Sequence, residues 1–238
     1  GAVTLALPQD VQAEAFDCPE DFLAPATLRI RRPAPDAAEL ARAAAMLRAA
    51  RRPLIVVGGG VLYSEAAPAL GEFARQHGVP VAETQAGKGS LAWDDPLNVG
   101  AIGVTGSPAA NVCAREADLV IAVGSRLQDF TTGSHTLFTQ ARLLSVNVQA
   151  FDAHKWHGQA LVCDARVGLS QLSAAAAGWQ AEAGWTATAT RAARQWNERV
   201  TALTTQPRPD VLPYDADVIG AVRDSATDSP AGDIVVCA

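Results

Sequence analysis

Three groups of residues in this 238-residue chain have types and spacings that could do chemistry. The first is Gly58-Gly59-Gly60, set between the apolar run Leu54-Ile55-Val56-Val57 and a helical pattern from about Ser64 to Gln76. Glycines at a strand-to-helix turn let a phosphate approach the backbone and the helix N-terminus. The dinucleotide fingerprint requires G-x-G-x-x-G, and Tyr63 stands at the third glycine position, so the fingerprint is broken. Glu83 ends the next strand-like run, where a ribose-binding acid belongs. The same glycines also suit a tight turn that holds no ligand. The second group is Gly124-Ser125-Arg126, which ends another apolar run, Leu119–Val123. An arginine there could grip a phosphate or carboxylate in a bidentate fork. It could equally pair with Asp129 or touch another domain. The third group is His154 and His157 near Asp152. Zinc could use such a pair, but no cysteine or third histidine lies at metal spacing, so solvated loop histidines and no metal site are expected. Lys88, between Gly87 and Gly89, is a candidate anion ligand or inter-domain contact. No Gly-x-Ser-x-Gly elbow is present, so no residue is assigned a catalytic role.

The elements that must position these groups follow from local pattern. Asp36 with Glu39 forms a capping box, and Leu40, Ala43, Ala44, Leu47 and Ala50 make one apolar stripe at helical spacing, stopped by Pro53. Residues 54–83 then read strand, helix, strand, a crossover that is almost always right-handed with parallel strands. Residues 84–106 read as a long loop. Ser107 caps a helix that has Pro108 at its first position. Further strands are expected over 119–123, 143–148 and 161–163, then a helix from Asp164 to about Ala177. These strands are continuously apolar, which demands burial on both faces. The expectation is a doubly wound parallel sheet, Rossmann-like, of about six strands with helices on both faces. Residues 1–33 carry a strand-like stretch, Val3–Leu7, and a Pro-rich linker; 34–178 form the central domain; 179–214 hold a polar helix and a linker with the Gln206–Pro209 break; 215–238 begin a new helix-strand unit. With strand-like runs at both ends, the chain is expected to be a piece of a longer protein.

Composition excludes several classes. Hydrophobic residues are 49% and charged residues 18%, enough apolar material for a core. No apolar run reaches the roughly 18 residues of a membrane span. Net charge is -6, with no basic block, and aromatics are 5%, a poor match to nucleic acid partners. Cys18, Cys113, Cys163 and Cys237 lie far apart without a Cys-x-x-Cys pair, so free thiols in a reducing, cytoplasmic location are expected.

The order of segments GAVTLALPQDVQ, PLIVVGGGV, PVAETQAGKGSLAWDDPLNVGAIGVTGSPAAN and ADLVIAVGSRLQD resembles the central domain of thiamine-diphosphate-dependent enzymes of the acetolactate synthase and pyruvate oxidase type. The resemblance rests on Gly87-Lys88-Gly89, Asn111, Ala117–Val120 and Gly124-x-Arg126, and covers essentially the whole chain. LPQDVQAEAFDCPEDF, ETQAGKGSL, RLQDFTTGSHTLF and NVQAFDAHKWH are similar to one branch, the trihydroxycyclohexanedione hydrolases of inositol catabolism, some labelled malonic semialdehyde oxidative decarboxylases.

The resemblance implies a parent that hydrolyses a carbon–carbon bond of a cyclic 1,2-dione, with a decarboxylase or an acetolactate-synthase-like carboligase as the alternatives. It implies thiamine diphosphate and magnesium held by flanking pyrimidine-binding and pyrophosphate-binding domains. The family's activating glutamate would precede Gly1, and its Gly-Asp-Gly…Asn motif would follow Ala238. The chain alone would then be inactive, and the parent would be a dimer or tetramer. Some relatives hold FAD in this domain, which would map to Gly58, Gly59, Gly60, Gly124, Ser125 and Arg126 as a vestigial nucleotide site. Ile102–Gly106 and Phe130 depart from the flavin-binding pattern and put FAD in doubt. A stand-alone nucleotide-binding module, or a scaffold without ligand, are the readings from other classes.

Overall fold

Strands that are apolar at every position need cover on both faces, and the fold supplies it. The computed structural model describes residues 3–27, 29–205 and 212–226. It divides into two units, Gly1–Arg31 and Arg32–Ala238. In the first, α1 (Gln9–Ala13) and a 3-10 turn (Glu20–Leu23) punctuate extended chain. Val3–Leu7, expected as a strand, forms none among the described residues. The physical reason is that a strand exists only as a paired ladder, and this stretch pairs with none of the described strands.

The second unit is built on six strands: β1 (Pro53–Val57), β2 (Val81–Glu83), β3 (Asn98–Ala101), β4 (Leu119–Val123), β5 (Arg142–Asn147) and β6 (Gln159–Val162). Their order is β3-β2-β1-β4-β5-β6, and every pairing is parallel. Every residue of β1 and β4 is buried, with Ile55 opposite Ile121 on one side and Val81 on the other. The order reverses between β1 and β4, which makes a switch point where ligands of such sheets bind at the carboxyl ends.

Around the sheet lie α2 (Ala37–Arg48), α3 (Gly59–Tyr63), α4 (Ala67–His77), α5 (Pro108–Glu116), α6 (Asp129–Thr132), α7 (Ala150–His154), α8 (Ala165–Ala175), α9 (Ala183–Thr205) and α10 (Asp215–Ala226). Caps behave as the sequence predicts at α5 and α8. The Ser107 hydroxyl accepts from Ala110 N–H, and the Asp164 carboxylate accepts from Arg166 and Val167 N–H. At α2 the Asp36 carboxylate caps the helix, but Glu39 does not turn back to complete the box. Its Oε2 accepts from Val162 N–H at 2.9 Å and ties α2 to β6.

Three elements differ from expectation. The helix after the glycine turn is split: α3 starts at Gly59, Glu65 takes φ 52°, and α4 restarts at Ala67. Pro68 is the cause, since it cannot donate to Ser64 across an unbroken helix and its ring would strike that carbonyl. The Ser64 carbonyl accepts instead from the Arg32 guanidinium. Inside the stretch read as a loop, β3 adds an edge strand that its short, glycine-containing sequence hides. The helix assigned to a linker is part of the core. Trp185, Ala189 and Ala193 repeat every four residues, are buried, and pack α9 against β3 and α5. Trp185 Nε1 donates to Pro53 O at 2.8 Å, pinning α9 to the start of β1. The Gln206–Pro209 break and the run Asp233–Ala238 lie outside the described residues. Among the described residues no helix is long and apolar enough to cross a membrane.

Trp185→Ala removes a buried ring and strands the Pro53 carbonyl. We expect a loss of about 3–5 kcal/mol in urea unfolding, against a near-neutral effect for an exposed α9 position such as Arg199→Ala.

Candidate functional site

The carboxyl ends of β1 and β4 meet at the switch point, and the glycine turns are decided there. Gly58 N–H donates to Val123 O at 2.9 Å, and Gly60 N–H donates to Gly124 O at 3.0 Å. A Cβ on Gly58 would stand 2.4 Å from Gly124 O, and one on Gly60 would stand 2.6 Å from Gly124 Cα. Gly124, at φ 60°, is equally closed by Gly60. A Cβ on Gly59 would meet Ala86 Cβ at 3.3 Å. The three glycines of the first turn therefore face other protein atoms, and the N–H groups of Gly58 and Gly60 are already spent on carbonyls.

The second turn is held from the end of β5 and from the residue after α7. Asn147 Nδ2 donates to Ser125 O at 3.2 Å, and Lys155 Nζ donates to Arg126 O at 3.3 Å. Ser125 is buried, and its hydroxyl accepts from Leu127 N–H at 3.1 Å. The Arg126 side chain is exposed and makes no ion pair or hydrogen bond with the described residues. Asp129, its expected partner, accepts instead from the Ser134 hydroxyl at 3.1 Å. Asn147 and Lys155 were not singled out by sequence reasoning. The readable signal is an asparagine at the end of an apolar strand, where an amide can bridge two turns.

Glu83 is placed at this edge but not as a ribose ligand. It is 1% exposed, and Oε1 accepts from Gly89 N–H at 3.0 Å and Leu91 N–H at 3.3 Å. Lys88 Nζ donates to its Oε2 at 3.3 Å. A buried carboxylate needs such donors, and the Gly87–Leu91 loop supplies them. Asn111 does similar work on the next loop: Gly103 N–H donates to its Oδ1 at 3.1 Å, and its Nδ2 donates to Gly103 O at 2.9 Å. His154 Nδ1 bonds Ala150 O at 2.8 Å within its own helix. Among the described residues no three His, Cys, Asp or Glu side chains come together as a metal site. The described residues thus offer neither a carboxylate set for a magnesium ion nor an open glycine cradle for a diphosphate.

What the edge does present is apolar surface. Tyr63, Phe130 and Phe151 are 86%, 70% and 77% exposed; Val148, three residues before Phe151, and Val104, whose N–H donates to Phe130 O at 2.8 Å, are exposed as well. Aromatic surface of this kind marks contacts with other protein or with a ligand.

Cys113 and Cys163 are buried, and Cys18 is exposed. Burial, reinforced by the negative charges of Glu116 for Cys113 and Asp164 for Cys163, pushes both buried thiols up to about 12.

The chain matches the family described as thiamine pyrophosphate enzyme, central domain, over residues 40–172. This chain belongs to that family. Among curated relatives it is 50% identical to a 3D-(3,5/4)-trihydroxycyclohexane-1,2-dione hydrolase of Geobacillus thermodenitrificans over 175 residues, 74% of this chain and 27% of the relative. It is 42% identical to the protein of that name from Clostridium perfringens over 206 residues, 86% of this chain and 32% of the relative. With the Clostridium tetani protein of that name the figure is 45% over 175 residues, 73% and 27%. The chain spans about a quarter to a third of the length of these relatives.

Gly60→Ala and Gly124→Ala each force a Cβ into backbone and should lower stability by on the order of 1–3 kcal/mol or more in thermal unfolding, while Arg126→Ala should stay within about 0.5 kcal/mol. Maleimide at pH 8 should label Cys18 in the folded chain and leave Cys113 and Cys163 untouched until denaturant is added, read by peptide mass spectrometry. The raised folded-state thiols also set a sign. Ionisation begins in the unfolded chain near the ordinary thiol value of 9.0 but in the folded chain only near 12, so the melting temperature should fall as pH climbs between them.

Proposed function

We propose that this chain serves as the central, non-catalytic domain of a thiamine-diphosphate-dependent hydrolase that opens a cyclic 1,2-dione by cleaving a carbon–carbon bond. The observation that carries this is the 42–50% identity, over most of this chain, to relatives that bear that name. When bound, thiamine diphosphate supplies an electron sink for breaking such a bond. The cofactor and its magnesium would be held by flanking domains, because the described residues here bring together no metal-binding group. The work of this chain would be to hold those domains in place. The exposed rim of Tyr63, Phe130 and Phe151 supports that role, since it needs cover. We take residues 34–178 as the domain proper, with 1–33 and 215–238 belonging to its neighbours and the parent a cytoplasmic homo-oligomer.

The six residues mapped to a nucleotide site, Gly58, Gly59, Gly60, Gly124, Ser125 and Arg126, are in this reading a vestige. Their glycines serve the β1–β4 contact, and only Arg126 keeps a free functional group. FAD is not part of the proposed enzyme.

The test uses the 238-residue chain and the full-length polypeptide from its source cells, each with thiamine diphosphate, magnesium and 3D-(3,5/4)-trihydroxycyclohexane-1,2-dione. Ring opening by the full-length protein and none by the chain is expected, with no flavin absorbance after denaturation. Turnover by the chain alone would refute the non-catalytic role. A full-length protein that condenses pyruvate but leaves the dione intact would refute the substrate.

A further inference from the structure

A groove runs along α9 at the other end of the sheet. Its residues precede strands: Gly78 leads into β2, and Asp94 and Asp95 lead into β3. Two adjoining clefts of 610 and 630 Å³ form it and share Thr190 and Arg194. Each lies within the size range of small-molecule sites. On α9, positions 187, 190, 194, 197 and 201 recur every three or four residues, so a single helix face lines both clefts.

The two clefts differ in chemistry. One is lined by Arg75, Arg191 and Arg194, with the first turn of α9 at its end. The other is lined by Asp94, Asp95, Asn197 and Glu198. Some of these groups are engaged. Arg75 pairs with Asp95 at 2.9 Å, and Arg194 lies 3.8 Å from Glu198 with both side chains largely exposed. The exposed Arg194–Glu198 pair is weak and easily re-formed with a ligand. Arg191, Asp94 and Asn197 have no hydrogen bond or ion pair among the described residues. One end therefore offers guanidinium donors, suited to a phosphate. The other offers a carboxylate and an amide beside the shared Arg194, suited to hydroxyl groups.

We propose that this groove binds a polyhydroxylated small molecule carrying a single phosphate, with the phosphate on Arg191 and Arg194 and the hydroxyls on Asp94 and Asn197. This site is separate from the carboxyl edge and does not rest on the proposed activity.

Glucose 6-phosphate, inorganic phosphate and glucose serve as probes in calorimetric titrations of the 238-residue chain at low salt. Glucose 6-phosphate should bind about tenfold or more tightly than either fragment of it. Arg191→Ala should weaken glucose 6-phosphate about tenfold. Asp94→Ala should weaken glucose 6-phosphate and leave inorganic phosphate unchanged. Both side chains are exposed, and unchanged circular dichroism would show that the variants fold. Equal binding of glucose 6-phosphate and inorganic phosphate would mean a non-specific anion site and overturn the proposal. So would full affinity in Arg191→Ala, or no binding of glucose 6-phosphate.

Discussion

The structure depends on the closeness of two backbone turns. β1 and β4 lie side by side, and their following turns must cross with Gly60 and Gly124 in near contact, so neither can carry a Cβ. That contact sets where α3 begins and where the Gly124–Asp129 turn leaves the sheet. It also uses the N–H groups that a phosphate would need. A glycine-rich turn that looks like a ligand cradle in sequence is thus a packing device in space.

Buried carboxylates and amides then fix the loops around this edge. Glu83 holds the loop after β2, Asn111 the loop after β3, and Asn147 the turn after β4. Asp118 does comparable work at the opposite edge, where its carboxylate accepts from Arg51 and Arg52 N–H at 2.8 and 2.9 Å and sets β4 against β1. Each group is satisfied by backbone partners, N–H donors for the carboxylates and carbonyl acceptors for the amide N–H groups, so its desolvation is compensated.

The two ends of the sheet carry different chemistry. The carboxyl edge carries exposed aromatic side chains beside the exposed Arg126, and its glycine turns are closed. The amino edge has an open groove with charge separated along one helix. The link between them is α9, whose Trp185, Ala189 and Ala193 bind the core while the adjoining face, from Ala193 round to Arg191, lines the groove.

The sequence by itself determined the parallel sheet, because strands apolar at every position can be buried only between helix layers. It determined the Ser107 and Asp164 caps, which are local hydrogen bonds, and the family, whose ordered motifs lie along the whole chain. Tertiary structure decided the rest. The roles of Gly58–Gly60 depended on what the glycines face, and only the β1–β4 crossing reveals Gly124 there. Glu83 at the end of a strand is the same letter whether it meets a ribose or its own loop. The membership of α9 in the core was hidden because its buried face is mostly alanine, a pattern that carries little apolar signal until Trp185 finds the Pro53 carbonyl. Only the fold aligned Arg191, Asp94 and Asn197 along one groove, since two of them share a helix and the third arrives from a loop nearly a hundred residues away.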